Sequence, residues 1–448
     1  MTIIKFFATI LGENKKKEKK MSNNLHQETL ATHYGYDSSK ETYGSVNVPL
    51  YLTNAYDFGT SERGARLFAL QELGAIYSRI TNPTVDVLEA RIAAVEGGKG
   101  GISAASGSAA IFNAIANLAG AGDNIIVAKK IYGGSAALLH NTLKNFGIST
   151  KTFDSDNADD LEGLIDDKTK AIFFESLSNP QIAVADTDKI AKIADKHGVV
   201  SIVDNTVASP ALYQPLKHGA DVSVHSATKY ISGNGSVLGG LIATNTKLNA
   251  KLRGNSRYAY FNEPEVNYHG LVFASLPDDF DLFTLRIKTI LLRDIGAALS
   301  AFNAWQLIAG LETLNVRMRA ISASALKVAQ FLESHPKVKS VNYPGLKSSP
   351  NYERVKANFI EGLASGLLAF EVADEQTALK VANGTKIFRV MVNIGDSKSI
   401  ITHPASTTHA QLSKDEQLKA GISAGLIRLS VGLENADDLI EDLKKALA

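Results

Sequence analysis

The 448-residue sequence contains no cysteine. That absence excludes disulfides, zinc–thiolate centres and cysteine nucleophiles together, and it fits a reducing, cytoplasmic setting. An excess of one charge is lacking too. Lys and Arg number 47 against 46 Asp and Glu, a formal net charge of +1, so electrostatics give no reason to expect nucleic acid as a partner. No stretch reaches the length and apolarity of a membrane span. The remaining composition, 45% hydrophobic and 21% charged, is that of a globular protein, and the length calls for more than one core.

Residues 1–20, "MTIIKFFATILGENKKKEKK", stand apart. Their apolar-then-basic order is the reverse of a secretory signal, and the segment reads as a disordered basic tail or an upstream extension before a start at Met21. Residues 21–81 form an amino-terminal arm, 82–290 a large domain and 291–448 a carboxy-terminal domain. Between about 82 and 245 apolar runs alternate with helical patterns. The runs are "NIIVAKK" (124–130), "KAIFFESLS" (170–178), "VVSIVDNTVA" (199–208), "ADVSVHSA" (220–227) and "VLGGLIATN" (237–245). "SAALLHNTLKNFG" (135–147) and "DTDKIAKIADKHG" (186–198) read as helices, the second with Asp186 as its cap. Near-continuous apolar strands separated by helices predict an α/β fold with a mostly parallel sheet covered on both faces. Beyond residue 290 two long helices (292–336) precede shorter strands, "SGLLAFEVA" (365–373) and "LIRLSVGLE" (426–434). A last helix starts at Asn435, so this part reads as a smaller α+β domain.

In a mostly parallel sheet ligands bind past the carboxyl ends of the strands, and there the sequence changes character. "FFESLSNP" ends in Ser178-Asn179-Pro180, "SIVDNTVA" carries Asp204-Asn205-Thr206, and "SVHSATK" ends in Ser226, Thr228 and Lys229. One polar strand end means only that a loop begins. Three on neighbouring strands describe convergent polar groups. Lys229 is either an ordinary loop lysine or a desolvated amine free to attack a carbonyl. Asp204, directly after Ser201-Ile202-Val203, is either a satisfied turn residue or an anion awaiting a cation, because an unpaired carboxylate there costs several kcal/mol. The Ser106-Gly107-Ser108 start of a helix is a ready anion site; alone it is a weak signal, since many helices begin this way.

Other signals fail. The glycines of "GNGSVLGG" (233–240) miss dinucleotide-loop spacing and precede a strand, so they read as backbone clearance. His403 and His409 read as local hydrogen-bonding residues, with no metal site expected. The positive parts match one cofactor: pyridoxal 5'-phosphate has an aldehyde for Lys229, a pyridine nitrogen for Asp204 and a phosphate for the helix start.

The motifs "YSRITNPT" (77–84), "ASGSAA" (105–110), "YGGS" (132–135), "ESLSNP" (175–180), "DNTVA" (204–208), "HSATKY" (225–230) and "IRLSVGLE" (427–434) as a set resemble the Cys/Met-metabolism family of fold-type I pyridoxal-phosphate enzymes. The resemblance runs from about His26 to Ala448. It implies a fold-type I transferase in which Lys229 binds the cofactor aldehyde and Asp204 holds the pyridine nitrogen protonated, beside Thr206. Gly107 and Ser108 meet the phosphate with their N–H groups, and Ser226 and Thr228 with hydroxyls. Tyr132 stacks on the ring and stands near the proton transfers. Tyr77 and Arg79, on the arm, reach the phosphate of the neighbouring subunit, which implies a homodimer sharing active sites, paired into a tetramer. Arg428, Asn179 and the backbone near Ser399 hold the substrate α-carboxylate. Ser108 departs from the family, which often has methionine or another larger residue there.

The implied activity is γ-replacement, O-acetylhomoserine and sulfide giving homocysteine and acetate. A γ-synthase using cysteine, a γ- or β-lyase of the same family, and a cofactor-free binding protein on the same fold are the alternatives. Partners are then a small amino acid and a sulfur donor, with neither nucleic acid nor membrane.

Overall fold

The computed structural model describes residues 25–448 except 69–71, 73, 269, 409, 411, 412 and 420. The expected tail at 1–20, the start at Met21 and His409 therefore lie outside the described residues.

Among its described residues the arm carries two short α-helices, Gln27–His33 and Ser61–Phe68, and a single 3-10 turn at Ser38–Lys40. Asn82 then caps α1 (Pro83–Val95), its Oδ1 accepting the N–H groups of Thr84 and Val85 at 3.0 and 3.4 Å, with Pro83 in the first turn. Seven strands follow: β1 (Gly100–Ala104), β2 (Asn124–Ala128), β3 (Ser149–Phe153), β4 (Thr169–Glu175), β5 (Val200–Asp204), β6 (Val222–Ser226) and β7 (Gly240–Thr244). Among them lie α2 (Gly107–Ala116), after β1, and α3 (Thr187–Lys196), after β4. Asp186 caps α3 through the Lys189 N–H at 3.1 Å.

The strands form one sheet in the order β1-β7-β6-β5-β4-β2-β3. The pairs from β3 to β6 are parallel, whereas β7 runs antiparallel to both β6 and β1. The reversal has a simple cause. Segment 227–239 contains no helix to carry the crossover that a parallel neighbour needs, so the chain returns directly. β1 and β3 are not among the expected strands. The first is "GGISA", short and glycine-led; the second is "STKTF", an edge strand with mostly polar, partly exposed residues. The expected helix at 135–147 is helical but not a regular α-helix: a single turn at Gly133–Ala136 widens at Ala137–Thr142, tightens at Leu143–Phe146 and ends on Gly147 at φ 78°.

After residue 290 come α4 (Ala301–Glu312) and α5 (Leu314–Ser334), then β8 (Ser340–Asn342), β9 (Leu367–Glu371), β10 (Arg389–Val390), β11 (Ile400–Thr402) and β12 (Leu426–Ser430). These strands make a second sheet, ordered β10-β11-β12-β9-β8 and antiparallel except for β10 with β11. Asn435 caps the final helix, α6 (Ala436–Leu447), through the Asp437 N–H at 2.8 Å.

Two sets of buried side chains hold these layers. One includes Ile115, Ile126, Phe173, Ile202 and Val222 on the first sheet and α2. The other joins Leu88 of α1, Leu177 and Val207 past the strand ends, Ile321 of α5, and Phe370 and Leu429 of the second sheet. Each such side chain, fully buried, contributes about 1.5–3 kcal/mol. The second set presses β12 against the carboxyl ends of the first sheet, which positions the site.

Candidate active site

Past those strand ends lies a cavity of about 250 Å³ lined by residues from α2, the loops after β2, β4, β5 and β6, and β12. Asp204, the last residue of β5, is buried, and its Oδ1 accepts the Thr206 N–H at 3.0 Å. The Thr206 hydroxyl in turn accepts the Ser226 N–H at 2.8 Å, tying the end of β5 to that of β6. From β6 a tight turn presents Thr228 and Lys229, with the Lys229 N–H returning to the Ser226 carbonyl at 3.1 Å. The Thr228 hydroxyl accepts the Gly239 N–H at 3.1 Å, which fastens this turn to the strand that follows.

The start of α2 faces the same space. Ser106 caps it through the Ala109 N–H at 3.2 Å, and the first-turn N–H groups of Gly107 and Ser108 have no intrahelical partner. A Cβ on Gly107 would lie 2.6 Å from the Ser226 Cβ, so the absence of a side chain lets this helix start reach the end of β6. The later glycine cluster serves clearance as expected: a Cβ on Gly235 or Gly239 would meet Asp396 or Leu307 at 2.5–2.6 Å.

Two cations are withdrawn from water here. The Lys229 Nζ donates to Asn393 Oδ1 at 2.5 Å. The Arg428 Nη1 donates to Asn179 Oδ1 at 2.8 Å and Nη2 to the Asn393 carbonyl at 3.3 Å, while its buried Nε has no partner among the described residues. Burial, then the Arg428 charge, holds the Lys229 amine below the ordinary lysine range. Burial likewise pushes the Arg428 guanidinium down to about 10. Asp204 is raised by burial, against the Thr206 hydroxyl and amide and the His225 charge. Glu175, its register neighbour on β4, is raised well above the carboxylate range by burial and then by Asp204.

Of the residues singled out in the sequence, Gly107, Ser108, Tyr132, Asn179, Asp204, Thr206, Ser226, Thr228, Lys229 and Arg428 line this one cavity. Three do not. Tyr77 and Arg79 are exposed on the arm, the guanidinium 5.5 Å from the tyrosine ring centre. Ser399 is fully buried with its N–H and hydroxyl donated to the two oxygens of Glu434 at 2.7 and 2.8 Å. Its expected place beside Arg428 is taken by Asn393. Asn393 and Glu175 escaped the sequence reading. Glu175 had the same signal as Asp204, an acid ending an apolar strand; Asn393 had none. His403 is a local hydrogen-bonding residue, bonded to Ser406 Oγ at 2.8 Å and the Ala424 carbonyl at 2.9 Å. A wider groove of about 470 Å³ between the arm and α1, lined by Tyr36, Val48 and Val87 among others, lies off the strand ends.

A buried amine, a buried acid, a helix mouth flanked by hydroxyls and a guanidinium with an unpartnered donor can together hold an aldehyde, a protonated ring nitrogen, a phosphate and a carboxylate. Those are the groups of pyridoxal phosphate and of an amino acid, and the donor set fits them.

Comparison with known proteins points the same way. The sequence pattern described as "Cys/Met metabolism PLP-dependent enzyme" matches residues 28–448. An O-acetyl-L-homoserine sulfhydrylase of Leptospira meyeri is 43% identical, covering 95% of this chain and 98% of its own length. A homocysteine synthase of Schizosaccharomyces pombe is 41% identical, with coverages of 94% and 98%. A Campylobacter jejuni crystal structure, provisionally assigned as an O-acetylhomoserine (thiol)-lyase and carrying N'-pyridoxyl-lysine-5'-monophosphate, superposes with a TM-score of 0.92 at 53% identity, covering 94% of this chain and all of that one.

Proposed function

The chain belongs to the Cys/Met metabolism PLP-dependent enzyme family, and from that premise we propose that it exchanges the acetoxy group of O-acetylhomoserine for sulfide, giving homocysteine and acetate. The observation that carries the reading is the convergence of Lys229, Asp204, Arg428 and the α2 start on one cavity. The likeness to sulfhydrylases and homocysteine synthases supports the choice of substrate.

When bound, pyridoxal phosphate supplies an aldehyde for the amine and a ring that accepts the electrons left when the Cα proton departs. The protein residues do the rest. Lys229 holds the cofactor and carries protons; burial, then the Arg428 charge, lowers its amine below the ordinary lysine range and so favours the free base. Asp204 provides the charge opposite the ring nitrogen. The N–H groups of Gly107 and Ser108, with the Ser226 and Thr228 hydroxyls, hold the phosphate. Tyr132, from the loop after β2, covers the ring. Arg428, steadied by Asn179, takes the substrate α-carboxylate in a two-pronged grip. Acetate leaves from Cγ and sulfide bonds there, so the substrate gains and loses one proton at each carbon that Lys229 serves.

The exposure of Tyr77 and Arg79 outside their own cavity supports a homo-oligomer in which they complete the phosphate site of a neighbouring subunit. Among the described residues no helix is long and apolar enough to cross a membrane.

Purified protein should absorb in the visible and form homocysteine from O-acetylhomoserine and sulfide, with O-succinylhomoserine slower. Lys229→Ala should lose both turnover and the visible band. A colourless wild-type protein, or one releasing only ammonia and a keto acid, would refute the reading.

A further inference from the structure

Glu175 ends β4 at the cavity wall, buried, with each oxygen on a different loop. Oε1 accepts the backbone N–H of Tyr132 at 2.6 Å, and Oε2 accepts that of Asn179 at 3.0 Å. Asn179 then accepts from Arg428 at 2.8 Å. One side chain thus connects the loop that presents Tyr132 to the loop that presents the partner of Arg428.

We propose that Glu175 is a positioning residue that fixes, through these two amides, where the Tyr132 ring stands relative to the Arg428–Asn179 grip on the substrate. The inference rests on the functional reading above for what Tyr132 and Arg428 touch, and deepens it.

Two physical points support it. A carboxylate is the one side chain of this length that offers an acceptor to each of two amides at once. And the position is electrostatically unfavourable: Glu175 lies in direct register with Asp204 on the adjacent parallel strand, and the Asp204 charge works against its ionisation. A glutamine would avoid that conflict, but it carries only one acceptor oxygen. Satisfying both loops is what requires the acid.

The test is Glu175→Gln in the holoenzyme. The variant keeps the side-chain volume but turns an NH2 toward one of the two amides, so it should retain the visible band and melt within a few degrees of wild type. Its kcat/KM for O-acetylhomoserine should fall by about 10- to 100-fold, the order seen when reacting groups are displaced slightly, with the loss divided unequally between kcat and KM. In an Arg428→Lys background the KM part of that loss should shrink or vanish, because the grip it supports is already broken. Unchanged kinetics, or losses that simply multiply, would overturn the proposal. If the variant does not fold, hydrogen exchange on the wild-type holoenzyme decides: the Tyr132 and Asn179 amides should be protected together, and rapid exchange at either sinks the inference. A wild-type enzyme inactive on O-acetylhomoserine would refute the functional reading instead, and the exchange result would still stand on its own.

Discussion

The side-chain oxygen of Asn393 accepts a hydrogen bond from the Lys229 Nζ at 2.5 Å. The lysine is thereby given a neutral partner inside the protein, and among the described residues no ion pair offsets the cost of burying its charge. Burial and the nearby Arg428 then both favour the uncharged amine. In enzyme stripped of cofactor, the pH dependence of acylation at Lys229, read by mass spectrometry, should have its midpoint below the ordinary lysine range. Arg428→Gln removes a like charge, which makes the protonated form easier to hold, so the midpoint should move up. The same depressed value makes the folded state shed a proton that the unfolded chain keeps. This group's contribution to stability should therefore rise with pH through the window between the two values and be lost as pH falls.

Arg428→Lys keeps a positive charge but not the planar fork. Its contact with Asn179 and its proposed grip on a carboxylate are both charge-assisted, so losing one such bond should cost on the order of 2 kcal/mol, roughly 30-fold. The loss should appear in KM for the amino-acid substrate by steady-state kinetics, with cofactor absorbance unchanged.

Gly107→Ala tests the helix mouth. The added Cβ would sit 2.6 Å from the Ser226 Cβ and 2.9 Å from its Oγ, so either α2 or the end of β6 must shift. Overpacking of this kind costs about 1–3 kcal/mol, and here the displaced groups are the proposed phosphate donors. Titration of cofactor-free enzyme with pyridoxal phosphate, followed by absorbance, should show affinity weakened by about tenfold or more.

Ser399 and Asn393 should behave oppositely. Ser399→Ala removes the hydroxyl that joins Glu434 to the Gly432 N–H and should lower the melting temperature while leaving KM unchanged. Asn393→Ala removes the side-chain acceptor of Lys229 while keeping the backbone carbonyl that Arg428 meets, and should change kcat at nearly constant melting temperature. A KM effect of Ser399→Ala would instead show that this buried serine bears on substrate binding.

Much of the first sheet was legible because its central strands are buried on both faces, and burial writes itself as apolar runs: "NIIVA", "AIFFE" and "VSIVD" all fall inside observed strands. The caps Asp186 and Asn435 were legible because their chemistry is local. β1 and β3 were not, since "GGISA" owes its place to pairing with β7 and "STKTF" lies at an edge with polar residues outward. The site divides in the same way. Lys229 and Asp204 announce themselves by being charged at the ends of apolar strands. Asn393 is a neutral residue in an irregular segment, and only the packing of the second sheet against the first brings it to Lys229. Ser399, expected near the substrate carboxylate, lies buried against Glu434, while Asn393, six positions earlier in the same stretch, lines the cavity.

Arg428 and Asn393 belong to the five-stranded sheet and its approach, whereas Lys229 and Asp204 sit at the tips of the seven-stranded one. The proposed grip on the substrate and the proposed proton carrier thus stand on separate scaffolds that share one seam. Changes near residues 390–430 reach Arg428 directly and Lys229 through Asn393, so swapping that stretch between relatives would alter both sides of the seam at once.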